Sequence, residues 1–374
     1  MKLWKFVLLG ITGHLAETKV LPALAEFAYT YRKEVDIQLI GWSRSKADMD
    51  KIQSLLEWKE QHPITNISFI QDQYTGEHNI ASLVDSLKQE QLVIYSAIPP
   101  VVFADLTKEF CPYPDAPIDI LMEKPFGENS EQAQQILNTI KNCGLEQEIH
   151  FLDHYAFKSS LRLNKSELKN FSILGEKSIE SIQVRASETA GVGTRLGYYN
   201  KIGALKDMMN HLLVELDYVL NLHGIEVGDV WPIQWTQLKR DQYMKYAKEL
   251  GQESDTETEF VLNGVLTHDE LNIPLTLQSG KKQREKLGQT RVNYSDGTYL
   301  ILQLAPEPSL TYYGETDEIS LNTQRGPDHD HVRVFHDILT RDLSSFRTPT
   351  QVLRDWKAYD AAVTLKKPLN EQAS

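Results

Sequence analysis

Lys5-Phe6-Val7-Leu8-Leu9-Gly10-Ile11-Thr12-Gly13-His14-Leu15 is an apolar run that enters a glycine turn. Beyond it, Val20, Leu21, Ala23, Leu24, Phe27 and Ala28 recur at helical spacing. The stretch reads as strand, glycine turn, helix, the geometry in which backbone N–H groups at a helix start cradle a phosphate. Two glycines three apart are a weak motif alone, so the neighbouring segments have to decide.

The next strand, Asp36 to Gly41, is followed by Trp42-Ser43-Arg44-Ser45. In a dinucleotide fold the residue after the second strand meets the adenosine ribose, where an acid selects NAD and an arginine accommodates the 2′-phosphate of NADP. Arg44 therefore favours NADP. Helices are expected over Lys46 to Glu60, Asn79 to Lys88 and Glu131 to Asn142. Strands are expected at Gln91 to Tyr95, Ile118 to Met122 and Ile149 to Leu152. This alternation predicts a Rossmann-type, doubly wound parallel sheet in residues 1–152. The fifth strand runs into Glu123-Lys124-Pro125-Phe126-Gly127, where a lysine before proline admits a cis bond.

After residue 152 the style changes. Ser178 to Ser187 alternates as a strand, and Ala204 to Asn221 is strongly helical. Strand-like runs cluster at Glu259 to Leu266, Ile273 to Leu277, Thr290 to Tyr294 and Tyr299 to Leu304. Helical patterns close the chain at Asp328 to Leu339 and Thr348 to Leu365, and the charge run Lys239 to Thr256 reads as solvated helix and loop. Residues 153–374 are thus expected to form an α+β domain with a mainly antiparallel sheet. At its start stands Asp153-His154-Tyr155-Ala156-Phe157-Lys158, a carboxylate, two hydrogen-bonding rings and a cation in six residues. Asp153 also reads simply as a helix N-cap.

The balance of 39 basic against 52 acidic residues, net −13, disfavours nucleic acid as a partner. Two cysteines, Cys111 and Cys143, are too few for a disulfide framework and point to a reducing compartment. The apolar run Phe6 to Ile11 is too short for a membrane span and lacks a signal-peptide layout. A cytoplasmic location, with no membrane partner, is the expectation.

The ordered set of motifs resembles the glucose-6-phosphate dehydrogenase family along nearly the whole chain. The opening signature is Gly10 to Leu24; Arg44, Glu123 to Gly127 and Asp153 to Lys158 follow in family order. Arg195-Leu196-Gly197-Tyr198-Tyr199-Asn200, Gly203 to Leu213, Pro274 to Lys281 and Leu339 to Trp356 complete the match. The resemblance implies His211 as the general base, a natural role for imidazole near neutral pH, with Asp153 orienting it. It implies His154, Tyr155 and Lys158 as the grip on a sugar phosphate. It places Lys124 between cofactor and substrate, and Lys281, Lys19 and Asp207 around the substrate. Gly10, Ile11, Thr12, Gly13, His14, Leu15, Arg44 and Lys124 would hold NADP, and no metal ligands are assigned. The family's second-domain sheet forms a dimer interface, which makes a homodimer an expectation to test.

Departures bear on the substrate. The chain is shorter than typical members; Gly193 stands where the family has a glutamate, so the sugar hydroxyl it would bond is left free or is met by another residue, Glu188 being a candidate. Asp207 and His211 are one residue closer than in the family, and Ala156-Phe157 adds bulk beside the phosphate grip. The expected reaction is NADP-dependent oxidation of a hexose 6-phosphate at C1 to the 6-phospholactone, glucose 6-phosphate first. Alternatives are a modified hexose phosphate such as an amino sugar, a Gfo/Idh/MocA-type sugar oxidoreductase, and a non-enzymatic NADP-binding homologue.

Overall fold

The computed structural model describes residues 1–72, 84, 90–113, 116–163, 167–243, 245–251, 254, 256–323, 327 and 329–365. It divides into two compact units, Met1–Phe157 with Gly326–Leu353, and Lys158–Arg325 with Arg354–Ser374.

The first unit carries β1 (Lys2–Leu9), β2 (Val35–Ser43), β3 (Asn66–Gln71), β4 (Gln91–Ser96), β5 (Ile118–Glu123) and β6 (Ile149–Leu152). Their order is β3-β2-β1-β4-β5-β6, and every neighbouring pair is parallel. This is the doubly wound dinucleotide-binding order, with its reversal between β1 and β4. Strands β4 and β5, and β1 from Phe6 onward, are almost wholly buried, which explains why they read as continuous apolar runs. The helices fall into two packed groups, α1 (Leu21–Thr30) with α2 (Met49–Leu55), and α3 (Pro100–Phe110) with α4 (Ser130–Asn142). A late helix, α7 (His331–Thr340), joins the first group. Its Phe335 meets the rings of Phe6 at 5.4 Å and Phe27 at 5.7 Å. The amphipathic pattern of α7 is thereby spent on the core of the first unit, although some 300 residues separate it from α1.

Two local expectations are corrected. The helix predicted over Lys46 to Glu60 is only α2: Asp48 caps its start through Lys51 N–H, and it ends where Trp58 pairs with Gln61 around Lys59 and Glu60 in the left-handed region. Cys111 and Cys143, at the C-terminal ends of α3 and α4, form a disulfide with Cα atoms 4.5 Å apart. The helix expected over Asn79 to Lys88 falls, except for Val84, outside the described residues.

The second unit is built on an eight-stranded sheet of β7 (Ile179–Ser187), β8 (Ile233–Asp241), β9 (Glu259–His268), β10 (Leu271–Gly280), β11 (Leu287–Tyr294), β12 (Tyr299–Ala305), β13 (Ser309–Tyr313) and β14 (Glu318–Asn322). The order is β14-β13-β12-β11-β7-β10-β9-β8, antiparallel throughout except β7 beside β10. Strict alternation of buried and open positions along β9, β11 and β12 shows one face turned to a core. Helix α5 (Leu196–Leu222) packs on β7, β9, β10 and β11. The short α6 (Lys245–Leu250) follows β8, so the charge run from Lys239 begins inside a strand. The last helix among the described residues is α8 (Pro349–Val363), and none of the described helices is long and apolar enough to cross a membrane.

Buried polar contacts fix α5. Arg354 gives its guanidinium to Asp217 at 2.8 Å and to the Val227 carbonyl, and its charge lies 4.4 Å from the Trp231 ring. Farther along, the His223 ring bonds the Val219 carbonyl at 2.7 Å and the Tyr294 hydroxyl at 2.8 Å. Burial holds the pKa of His223 below the ordinary imidazole value, outweighing the Val219 bond. The unfolded chain therefore takes up a proton near pH 6.5 that the folded chain refuses, so this residue makes stability fall as pH drops below that point. We expect His223→Gln, which does not titrate, to lose less stability than wild type between pH 7.5 and 5.5 by up to about 1.4 kcal/mol per pH unit. Urea unfolding at the two pH values reads this directly, and equal losses in both proteins would refute it.

Candidate active site

In the first unit, predicted site residues gather where β1, β2, β4, β5 and β6 end. Gly10 follows β1 with φ +82°, and its N–H bonds the Trp42 carbonyl at 2.8 Å. A Cβ at Gly10 would lie 2.7 Å from the Ala97 carbonyl oxygen, so the turn needs glycine twice over, for conformation and for space. Gly13 N–H closes the turn on the Gly10 carbonyl at 2.8 Å, and a Cβ at Gly13 would sit 3.0 Å from the same oxygen. Ile11 is buried and packs where Gly41 of β2 leaves room. Thr12, Gly13 and Leu15 are half-buried, while His14 and Lys19 are exposed. The helix opens on a π-helical turn, Ala16–Val20, before α1. The first turn of a helix is where backbone N–H groups can meet an anion; here Glu17 N–H closes on the Gly13 carbonyl at 3.0 Å. Arg44 is exposed directly after β2, the place from which a ribose phosphate is read.

Lys124 follows β5, joined by a cis bond to Pro125, and its N–H donates to the Leu152 carbonyl at the end of β6. Asp153 is next in the chain and is buried. Its carboxylate accepts Tyr155 N–H at 3.0 Å, so it caps the short 3-10 turn His154–Phe157. His154 and Tyr155 are half-buried, with ring centroids 5.2 Å apart. Phe157 is fully buried and meets Phe346 edge-on at 5.1 Å. The bulk expected beside a phosphate grip is therefore directed into the core at this position.

Lys158 is half-buried and begins the second unit. The long helix α5 breaks at Gly203, whose φ of +72° and ψ of 171° are not helical. A Cβ there would meet the Glu257 carboxylate at 2.9 Å. That carboxylate accepts Leu205 N–H, the Glu257 carbonyl accepts Ala204 N–H, and Arg240 pairs with the other oxygen at 3.4 Å. The helix proper is thus capped at residue 204 by a buried acid, which suits the positive end of its dipole. Asp207 and His211, one turn apart on one face, follow; Asp207 is half-buried and His211 is 4% exposed.

Lys281, just past β10, is only 3% exposed, and its ammonium lies 2.6 Å from Glu188 and 5.7 Å from the centre of the Tyr199 ring. Three backbone bonds join the segments after β7 and β10: Glu188 to Gly280, Lys282 to Ala190 and Gln283 to Glu188. Burial first, then the charges of Asp207, Glu188 and Glu257, raise the Tyr199 hydroxyl far above its ordinary pKa, so it stays a neutral donor. Glu188, a candidate to meet a sugar hydroxyl, holds Lys281. Gly193 has φ +56° with open space around it.

Sequence reading passed over Tyr199 and Glu257. Tyr199 lay inside a quoted motif. Glu257 had no local signal, because its role depends on a helix break 54 residues earlier.

The first unit has the strand order and glycine turn of a nicotinamide-dinucleotide dehydrogenase. Two family profiles match in succession: "Glucose-6-phosphate dehydrogenase, NAD binding domain" over residues 7–162 and "Glucose-6-phosphate dehydrogenase, C-terminal domain" over residues 168–222. The chain belongs to the glucose-6-phosphate dehydrogenase family, enzymes that act on a CH–OH group. Among curated relatives, the glucose-6-phosphate 1-dehydrogenase of Helicobacter pylori (strain ATCC 700392 / 26695) is 24% identical over 394 residues, covering 96% of this chain and 92% of that one. The chloroplastic enzyme of Solanum tuberosum is 27% identical over 236 residues, 55% of this chain and 40% of that one. In fold, the chain is like the glucose-6-phosphate 1-dehydrogenase of Mycobacterium avium, with TM-score 0.79, 19% identity, and 97% and 92% of the two chains covered. It also shares a fold with the UDP-N-acetylglucosamine 3-dehydrogenase GnnA of Acidithiobacillus ferrooxidans, at TM-score 0.63, 13% identity and 98% of each chain.

Gly10→Ala combines a left-handed φ with a backbone clash. It is expected to weaken dinucleotide binding about tenfold or more, since backbone strain of about 1–3 kcal/mol converts at about 1.4 kcal/mol per decade. Titration of NADPH fluorescence checks this, and unchanged affinity would exclude the turn from the site.

Proposed function

We propose that this chain oxidises a hexose 6-phosphate at C1 to the 6-phospholactone with NADP, and that glucose 6-phosphate is its substrate. The carrying observation is the ordered motif set within the two family matches, with His211 buried on α5 and Lys281 buried beyond β10. When bound, the nicotinamide ring supplies the acceptor for the hydride leaving C1. The glycine turn fits such a cofactor: it is tight enough that a Cβ at Gly10 or Gly13 would press on the Ala97 or Gly10 carbonyl oxygen and force it open.

His211 takes the C1 hydroxyl proton as hydride departs, and Asp153 orients the imidazole and stabilises its protonated form. His154, Tyr155 and Lys158 hold the phosphate, where charge-assisted bonds add binding and direction. Lys124 lies between cofactor and sugar; Lys281, Asp207 and Lys19 complete the substrate's surroundings. Arg44 bonds the 2′-phosphate and so prefers NADP to NAD. The protein works in the cytoplasm; we leave a homodimer to sedimentation analysis.

A second reading, a modified hexose phosphate, has one specific support. The left-handed φ at Gly193 is a conformation that a glutamate, the family's residue there, rarely adopts. A panel of hexose phosphates followed by NADPH absorbance separates the two readings. Turnover of glucose 6-phosphate supports the first, and turnover of another sugar phosphate alone supports the second. His211→Asn should lower kcat about 10²–10⁴-fold while NADPH still binds. Retention of wild-type kcat would remove His211 from the chemistry. Arg44→Ala should raise the KM for NADP by about 10–100-fold, the worth of a charge-assisted bond, and leave the KM for NAD within about threefold. An equal rise for both cofactors would refute the assignment.

A further inference from the structure

One buried cluster of titratable groups in the first unit has no part in the reaction above. Tyr95, the penultimate residue of β4, donates its hydroxyl to Glu123, the last residue of β5, at 2.7 Å. His331, at the start of α7, brings its Nε2 to the same carboxylate oxygen at 3.2 Å. The side chains of His331 and Glu123 are 4% and 7% exposed. One oxygen of Glu123 is therefore held by donors from two other elements. Glu123 is also the first residue of the turn that carries Lys124, and Lys124 N–H is tied to β6.

The second face of His331 is also engaged. Its ring lies nearly parallel to that of His154, at 18° and 6.3 Å between centroids, and 6.0 Å from Tyr95. Two residues farther along α7, Arg333 donates to the Phe157 carbonyl at 2.9 Å. The first turn of α7 thus meets both ends of the turn His154–Phe157, and His331 also reaches Glu123. Simple core packing would need an apolar ring at this position. An imidazole aimed at a buried carboxylate directs the geometry of Glu123 instead, because an unpaired buried carboxylate is costly.

We propose that His331 is a positioning residue that sets the Glu123–Lys124 turn against the His154 turn, and so aligns the cofactor-side lysine with the phosphate grip. The inference rests on the hexose-phosphate reading for its effect on turnover. Burial, followed by the charge of Glu123 and the bond to it, raises the Tyr95 hydroxyl well above its ordinary pKa, so the second donor to Glu123 keeps its proton.

Two substitutions separate alignment from packing. His331→Phe keeps an aromatic ring beside His154 and Tyr95 but removes the donor; His331→Gln keeps an N–H at the Nε2 position. For the Phe variant, kcat/KM for the sugar phosphate should fall about 10–100-fold, the effect of losing a bond to a charged group. The Gln variant should recover to within about threefold of wild type. Deuterium uptake at residues 123–127 and 153–157 should rise in the Phe variant and not in the Gln variant. Wild-type kinetics and uptake in the Phe variant, or a Gln variant as impaired as the Phe one, would overturn the proposal. A wild type silent on every hexose phosphate would overturn the hexose-phosphate reading, and the uptake comparison would then decide the positioning role alone. Should the Phe variant fail to fold, Tyr95→Phe removes the other donor to the same oxygen; unchanged kinetics and uptake there would likewise overturn the proposal.

Discussion

Parallel hydrogen bonding in the first unit imposes a constraint from which the rest follows. A parallel ladder brings the C-terminal ends of all its strands to one edge. Residues far apart in the chain, Gly10, Arg44, Lys124 and Asp153, therefore stand after strands that end together. The register is tight: Leu9 is paired with Trp42 and Ser96, and Glu123 with Leu152. Shifting one strand by a residue would turn its buried side chains to the wrong face and move its loop. The apolar runs that make these strands are thus also what positions the polar loops.

The second unit meets a different constraint. A helix carrying a buried histidine must begin at a defined place if that histidine is to keep its direction. Gly203 stops the preceding segment, and Glu257 supplies both a carbonyl and a carboxylate to the first N–H groups of the new helix. Arg240 offsets the charge that this buries. At the other end of α5, Arg354 and His223 hold the helix through Asp217 and Tyr294. Lys281 is a related case: a cation almost wholly buried is sustained by Glu188 and by the π face of Tyr199.

Most of this architecture was legible locally. The strands β1, β2, β4, β5 and β6 announced themselves by apolar runs, and the part of α5 after Gly203 by its periodicity. Harder cases had physical reasons. Strand β3 alternates exposed and half-buried positions only over Asn66–Phe69 and buries none of them fully, so its signal is short and weak. Strand β8 hides in a charged stretch because its outward face is polar. The helix after Arg44 was over-extended, because propensity continues past Leu55 while the left-handed Lys59-Glu60 turn does not. A disulfide between two cysteines 32 residues apart depends on how two helices pack, which no spacing rule conveys.

By itself, the sequence determined the chemistry available: a glycine turn after a strand, an arginine after the next strand, Glu123-Lys124-Pro125, the hexapeptide from Asp153, and a histidine one turn beyond Asp207. Those assignments need only neighbours in the chain, because strand and helix periodicities act over a few residues. The tertiary structure alone decided that Glu188 faces Lys281, that Phe157 turns into the core, and that Gly326–Leu353 belongs with the first unit. Each of these depends on apolar surfaces finding partners across 90 to 300 residues of chain, or on buried charges that are stable only where an opposite charge has been brought beside them.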